Sequence, residues 1–66
     1  MKRISTNNGA TWTTPEEALE HVSMETIAQY MDDETREQVH EELAPCTDSE
    51  FLRRYLEIAP DNLIIG

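Results

Sequence analysis

Residues 46–60 read CTDSEFLRRYLEIAP, and this stretch decides the fold of the chain. Its apolar residues recur at the spacing of one face of an α-helix: Phe51, Leu52, Tyr55, Leu56 and Ala59. Thr47 is placed to be the N-cap of this helix, and Glu50, three residues later, completes a capping box. Pro60 ends the helix, because the residue before a proline is disfavoured in the helical conformation. No other stretch has so dense an apolar face, so we expect the remaining elements to pack against this helix.

Two other segments are typical of β-strands. Asn8-Gly9, between strand-like runs, predicts an N-terminal β-hairpin. A two-residue loop would put Ile4 and Trp12 on opposite faces. We favour a three-residue loop that pairs them, because the burial of Trp12 outweighs a turn preference. After the helix, Leu63-Ile64-Ile65 is short and rich in β-branched residues, and it predicts a third strand that joins the hairpin.

Three more helices are expected between the hairpin and the C-terminal helix. Thr14-Pro15 begins the first, with the proline at the first helical position, and this helix ends near Ser23. Ser23 then caps the second, and Asp32 or Asp33 caps the third, which runs to Ala44. The sequence therefore predicts a single α+β domain over residues 1–66, with an N-terminal β-hairpin, four short helices and a C-terminal strand. The last strand would complete a three-stranded antiparallel sheet.

Charge is the most unusual property of the composition. Fourteen acidic residues against five basic ones give a formal net charge of −9 on 66 residues. Residues 16–42 hold ten acids and one base, so the whole excess lies there, while the four acids and four bases elsewhere cancel. This charge disfavours direct binding to nucleic acid or to an anionic membrane and favours a basic protein partner. With no bilayer-spanning apolar run and with Cys46 as the single cysteine, we expect a cytoplasmic protein that is a monomer or a weak dimer.

Acidic side chains line one side of the third predicted helix. Asp33, Glu37 and Glu41 stand at i, i+4 and i+8, where like charges destabilise a helix by roughly 0.2–0.5 kcal/mol per pair. A small domain that accepts this cost points to a use for the charge, namely a surface that imitates nucleic-acid phosphates and occupies a basic groove on a nucleic-acid-binding protein. The alternative is a solvated face that only confers solubility. The predicted partner-binding residues are all acidic: Asp32, Asp33, Glu34, Glu37, Glu41, Glu42, Glu16, Glu17 and Glu20.

Metal binding and catalysis have little support in the sequence. His40 and Cys46 lack the close or paired spacing of zinc ligands. The run 32–34 has neither the glycine nor the spaced acids of a calcium loop. A Cys46–His40 nucleophile pair has no third group to orient it. We therefore expect no catalytic residue, no metal site and no cofactor.

Four segments carry a resemblance to known proteins: Ser5–Trp12, Met31–Cys46, Phe51–Leu56 and Ile64–Gly66. They resemble short acidic proteins of phages and mobile elements, similar to small anti-CRISPR and anti-restriction inhibitors. The resemblance implies a non-enzymatic inhibitor, active in the host cell, that binds a basic nucleic-acid-binding protein such as a CRISPR effector or nuclease subunit. The alternative is a small accessory or interaction protein of a mobile element.

Overall fold

The computed structural model describes every residue from Met1 to Gly66. Its elements follow in chain order: β1 (Ile4–Ser5), α1 (Pro15–His21), α2 (Met24–Tyr30), α3 (Asp33–Leu43), α4 (Asp48–Ile58) and β2 (Leu63–Ile64). The four predicted helices are present, and each begins after a polar N-cap: Thr14, Ser23, Asp32 or Thr47. Each cap side chain accepts a hydrogen bond from the backbone N–H three residues later, which satisfies one of the unpaired donors of the first turn.

Helix α4 lies at the centre of the molecule, and both α1 and α3 pack against it. The buried side chains form one core: Ile4, Ala18, Ile27, Met31, Val39, Leu52, Tyr55, Leu56, Ala59, Leu63 and Ile65. Tyr55 is buried, and its hydroxyl accepts a hydrogen bond of 2.8 Å from the backbone N–H of Asp32. This bond fixes the start of α3 against α4.

The prediction of a three-stranded antiparallel sheet is wrong. The sheet has two strands, β1 and β2, which run parallel with Ile4 opposite Leu63 and Ser5 opposite Ile64. The helical layer carries the chain back to the starting end of β1, as a parallel pair requires. Where β2 begins, the backbone N–H of Arg3 donates to the side-chain oxygen of Asn62 at 2.9 Å, which holds the starts of the two strands together. Leu63 and Ile65 then turn into the core.

The predicted hairpin is reduced to one antiparallel bridge, and it pairs Ile4 with Thr13 instead of Trp12. Side-chain hydrogen bonds replace the expected strand ladder in this loop. The Ser5 hydroxyl accepts from the Gly9 N–H at 2.9 Å, and the Asn7 carboxamide oxygen accepts from the Thr11 N–H at 2.9 Å. Such local bonds compete with strand pairing. Trp12 is left half-buried, with the Arg3 guanidinium 4.6 Å from its ring centroid.

Candidate functional site

The nine acidic residues predicted to bind a partner are all exposed, and they fall into two groups. The larger group, called here the α3 acidic face, consists of the α3 N-cap and five residues of the helix: Asp32, Asp33, Glu34, Glu37, Glu41 and Glu42. The smaller group lies on α1: Glu16, Glu17 and Glu20. The α3 face points outward because Thr35 and Val39, on another side of the helix, are buried against the core.

The structure does not merge the two acidic groups into one surface. Arg53 and Arg54 are neighbours on α4, yet they pair in different directions. The Arg53 guanidinium donates to Glu16 on α1, and the Arg54 guanidinium donates to Glu42 on α3 at 3.1 Å. The two groups therefore flank α4 on different sides. We treat the α3 acidic face as the candidate site and the α1 group as a separate patch.

Several of the acids on the α3 face already have a structural role. Asp32 caps the helix, Glu42 pairs with Arg54, and Asp33 accepts from the Arg36 guanidinium at 3.3 Å. The carboxylates of the remaining three make no hydrogen bond and no ion pair within the chain: Glu34, Glu37 and Glu41. Their charge is fully available to a partner.

Two hydrogen bonds from Thr35 lower the pKa of the Asp32 carboxyl below its ordinary value. The larger effect comes from the backbone N–H, 3.0 Å from one carboxyl oxygen, and the smaller effect comes from the hydroxyl, 2.9 Å from the same oxygen. Desolvation opposes this shift only in part. Asp32 therefore stays ionised at neutral pH and adds a permanent negative charge at the N-terminus of α3. That is the end of a helix where a negative charge is favourable.

A cleft of about 520 Å³ opens between α3 and α4 within the acidic face. Its lining combines four side chains from successive turns of α3 with one ring from α4: Asp33, Arg36, Glu37, His40 and Phe51. The Arg36 guanidinium is engaged, because it also donates to the backbone oxygen of Ala28 at 3.3 Å. The cleft thus offers a partner the Glu37 and Asp33 carboxylates, the His40 imidazole and part of a half-buried aromatic ring. A basic side chain is the group that such a lining suits.

Sequence reasoning missed Phe51, His40 and Arg36 as members of the site. Helical spacing does indicate Arg36 and His40. Arg36 lies three residues after Asp33, and His40 lies four residues after Arg36, so all three are on the same side of α3. Phe51 carried no such signal. Its position in the apolar pattern of α4 predicted burial, and only the packing of α3 on α4 leaves part of the ring at the surface.

Two kinds of arrangement are absent from the structure. No three side chains among the histidine, cysteine, aspartate and glutamate residues come together in a way that could hold a metal ion. None of the four helices has both the length and the apolar character of a membrane span. Cys46 is a free, half-buried thiol between α3 and α4.

Comparison with known proteins identifies the family. Residues 20–58 match the family described as anti-CRISPR protein AcrIC5. The match covers α2, α3 and α4 in full, together with the last residues of α1, and it includes the whole α3 acidic face and its cleft. No curated protein and no solved structure matches the chain. Because the matched residues make up more than half of its length, the chain belongs to the anti-CRISPR protein AcrIC5 family.

Proposed function

We propose that this protein inhibits a CRISPR–Cas component by placing its α3 acidic face in a basic groove that otherwise binds DNA. The family supports the inhibitor role and a CRISPR–Cas partner. The observation that carries the DNA-mimicry part is the set of three unpaired, exposed carboxylates on one helix: Glu34, Glu37 and Glu41. The mechanism needs binding alone, so we propose that the protein is not an enzyme.

The density of charge on α3 is comparable with that of a nucleic acid. Ten helical steps from Asp32 to Glu42 cover about 15 Å at about 1.5 Å per residue. Duplex DNA carries about nine phosphate charges over the same length, at one per about 1.7 Å. The face has six acids and one base, Arg36, over this span. Arg54 pairs with Glu42, so six acids less two bases leave a net of four negative charges, which is somewhat less than half of the DNA charge. We propose that this charge competes for a groove lined by lysine and arginine.

The cleft gives the acidic face a place for a specific contact. A partner arginine that entered it could pair with Glu37 and lay its guanidinium against Phe51. Arginine suits this lining better than lysine, because its planar guanidinium can make two parallel hydrogen bonds to a carboxylate and can also stack on an aromatic ring. Phosphates of DNA offer no equivalent contact, so the cleft would add affinity beyond simple charge mimicry.

We further propose that the protein acts as a monomer in the cytoplasm of the host cell. The large apolar side chains that remain exposed are few, and they belong to distant parts of the chain: Met1, Tyr30 and Ile64. Three partly exposed side chains supply much less apolar surface than a stable homodimer buries. The high net negative charge also makes two copies repel each other.

The test is a charge reversal with a matched control. We expect Asp33→Lys, Glu37→Lys and Glu41→Lys together to abolish binding to the CRISPR–Cas component and to restore its activity. The control variant carries Glu25→Lys, Glu57→Lys and Asp61→Lys, which change the net charge equally at exposed positions outside the face. Circular dichroism and thermal melting establish that both variants fold. If the two variants bind equally well, the acidic face is not the binding surface and serves only to confer solubility.

A further inference from the structure

A second cleft, of about 280 Å³, lies beside α1 and α4 and is lined by more basic than acidic side chains. Its lining includes three of the five basic residues of the chain and two hydroxyl groups: Lys2, Arg3, Arg53, Thr13 and Thr14. It also includes one carboxylate, that of Glu16, which pairs with Arg53 and so leaves the charge of Lys2 and Arg3 in excess. We call it the basic cleft. It is separate from the α3 acidic face, because Arg53 points towards Glu16 on α1, whereas Arg54 points towards Glu42 on α3.

Two of the cations in the basic cleft have no acidic partner. The three ion pairs of the molecule use Arg36, Arg53 and Arg54, so Lys2 and Arg3 form none. Carboxylates outnumber bases by fourteen to five in this chain, and most lysine and arginine side chains could find one. Both unpaired cations nevertheless line the same cleft. Their charge is left available to an external anion.

The basic cleft is also held in place by the surrounding backbone. The N–H of Lys2 donates to the Leu56 oxygen of α4 at 2.7 Å, and the Arg3 oxygen accepts from the Leu63 N–H of β2 at 2.9 Å. The Arg3 guanidinium lies over the Trp12 ring, 4.6 Å from its centroid. Both cations are therefore presented by anchored backbone, which lowers the entropic cost of binding an anion.

From this arrangement we infer that the basic cleft binds a compact phosphate group. An ammonium, a guanidinium and the remaining N–H groups of Arg53 are the donors that phosphate oxygens require. Thr14 adds a hydroxyl that can donate while it caps α1. A compact group is favoured over a long duplex, because the net charge of −9 repels extended polyanions. The group can belong to a free nucleotide or to the phosphorylated end of a single strand.

The test is an NMR titration of the ¹⁵N-labelled full chain with sodium pyrophosphate at low ionic strength, matched against sodium chloride. We expect saturable shifts at Lys2, Arg3, Thr14 and Arg53. In the variant Lys2→Gln/Arg3→Gln the affinity falls about tenfold or more, since charge-assisted hydrogen bonds are lost. Arg54→Gln, which removes the same type of charge on the other side of α4, binds as the unaltered protein does. Shifts that match those in sodium chloride would overturn the inference, as would equal effects of Arg54→Gln and the double substitution.

Two further arms complete the experiment. Lys2→Gln alone leaves the Arg3–Trp12 contact intact, so it reports on the cleft even if the double variant is destabilised, and it too must weaken binding. Titrations with adenosine diphosphate and with a 5′-phosphorylated hexaribonucleotide distinguish the two sources of phosphate. The ligand that binds more tightly indicates whether the cleft takes a free nucleotide or the phosphorylated end of a single strand. Binding of either that survives the double substitution would contradict the inference. No CRISPR–Cas component is present in these titrations, so their result is independent of the function proposed for the α3 acidic face.

Discussion

The Asp32 carboxylate accepts two hydrogen bonds from Thr35, and its pKa is lowered mainly for that reason. Its stabilising contribution is therefore present above the ordinary aspartate pKa of 3.8 and is lost as the pH falls through the lower pKa of the folded state. We expect Asp32→Asn to be less stable than the unaltered protein at neutral pH. The difference in melting temperature should shrink as the pH is lowered below about 4.

Asparagine is the informative substitution at this position, because it keeps an oxygen that can cap α3 and removes only the charge. Thermal melts of both proteins at a series of pH values measure the effect. Asp33→Asn is the control, since Asp33 has one long contact with Arg36 and no cap. A melting difference for Asp32→Asn that stayed constant from neutral to acid pH would contradict the assignment of this pKa to the cap.

Phe51 tests whether the cleft in the acidic face binds a partner side chain. We expect Phe51→Leu to weaken binding to the CRISPR–Cas component about threefold to tenfold, because the substitution removes the ring on which a guanidinium would stack. Phe51→Tyr keeps the ring and should bind almost as well as the unaltered protein. Calorimetry on both variants measures the affinity, and thermal melting detects any loss of core packing. Unchanged affinity in Phe51→Leu would leave charge alone as the source of binding.

At the scale of the elements, the parallel pairing of β1 with β2 makes a testable distinction between neighbouring residues. Leu63 is 3% exposed, whereas Ile64 is 45% exposed. We expect Leu63→Ala to destabilise the protein by about 2–4 kcal/mol, through lost burial and a cavity in a small core. Ile64→Ala should cost about 0.5 kcal/mol or less. Chemical denaturation of the two variants measures both values, and equal losses would contradict the observed register.

The helices could be predicted from the sequence, and the sheet could not, for a physical reason. Each helix start depends on a cap and its first turn, as at Thr47 and Glu50, and such signals are local. The pairing of Ile4 with Leu63 joins the two ends of the chain, so its direction depends on the path of every helix between them. Loop bonds around Ser5 and Asn7 removed the expected hairpin, and the turn motif alone did not reveal that competition.

The candidate site divides in the same way between local and long-range information. The five acids of α3 and its N-cap Asp32 follow from composition and helical spacing, and the structure places all six at the surface. The cleft depends on how α3 packs on α4, which no spacing predicts. The same packing directs Arg53 and Arg54 to different partners and so separates the α1 acids from the α3 face. The family match, in turn, covers α3 and α4 but leaves out β1 and β2.

At the scale of the whole molecule, two surfaces of different charge flank α4. The α3 acidic face lies on one side of that helix, and the basic cleft lies on the other, next to the α1 acids, of which Glu16 pairs with Arg53. The molecule measures 31 × 22 × 19 Å, so it is about as wide as duplex DNA. It could therefore fill the DNA-binding groove of a CRISPR–Cas component with one of its sides against the wall of that groove. Such an arrangement directs the negative side towards the lysines and arginines of the groove. Orientation, and not only net charge, then determines binding.

Mimicry of DNA makes a prediction about competition. If the α3 acidic face occupies the DNA groove, the protein and target DNA exclude each other from the CRISPR–Cas component. We expect labelled target DNA to be displaced as the protein is added, with half-displacement rising in proportion to the DNA concentration. The affinity of the protein should also fall steeply as salt rises from about 50 to 300 mM, because screening weakens a contact dominated by exposed charges. The control triple variant should also displace DNA and lose affinity as salt rises.

A ternary complex that holds DNA and protein together while cleavage is blocked would contradict mimicry. Inhibition would then require a change in the conformation of the CRISPR–Cas component, and the acidic face would serve as its docking surface.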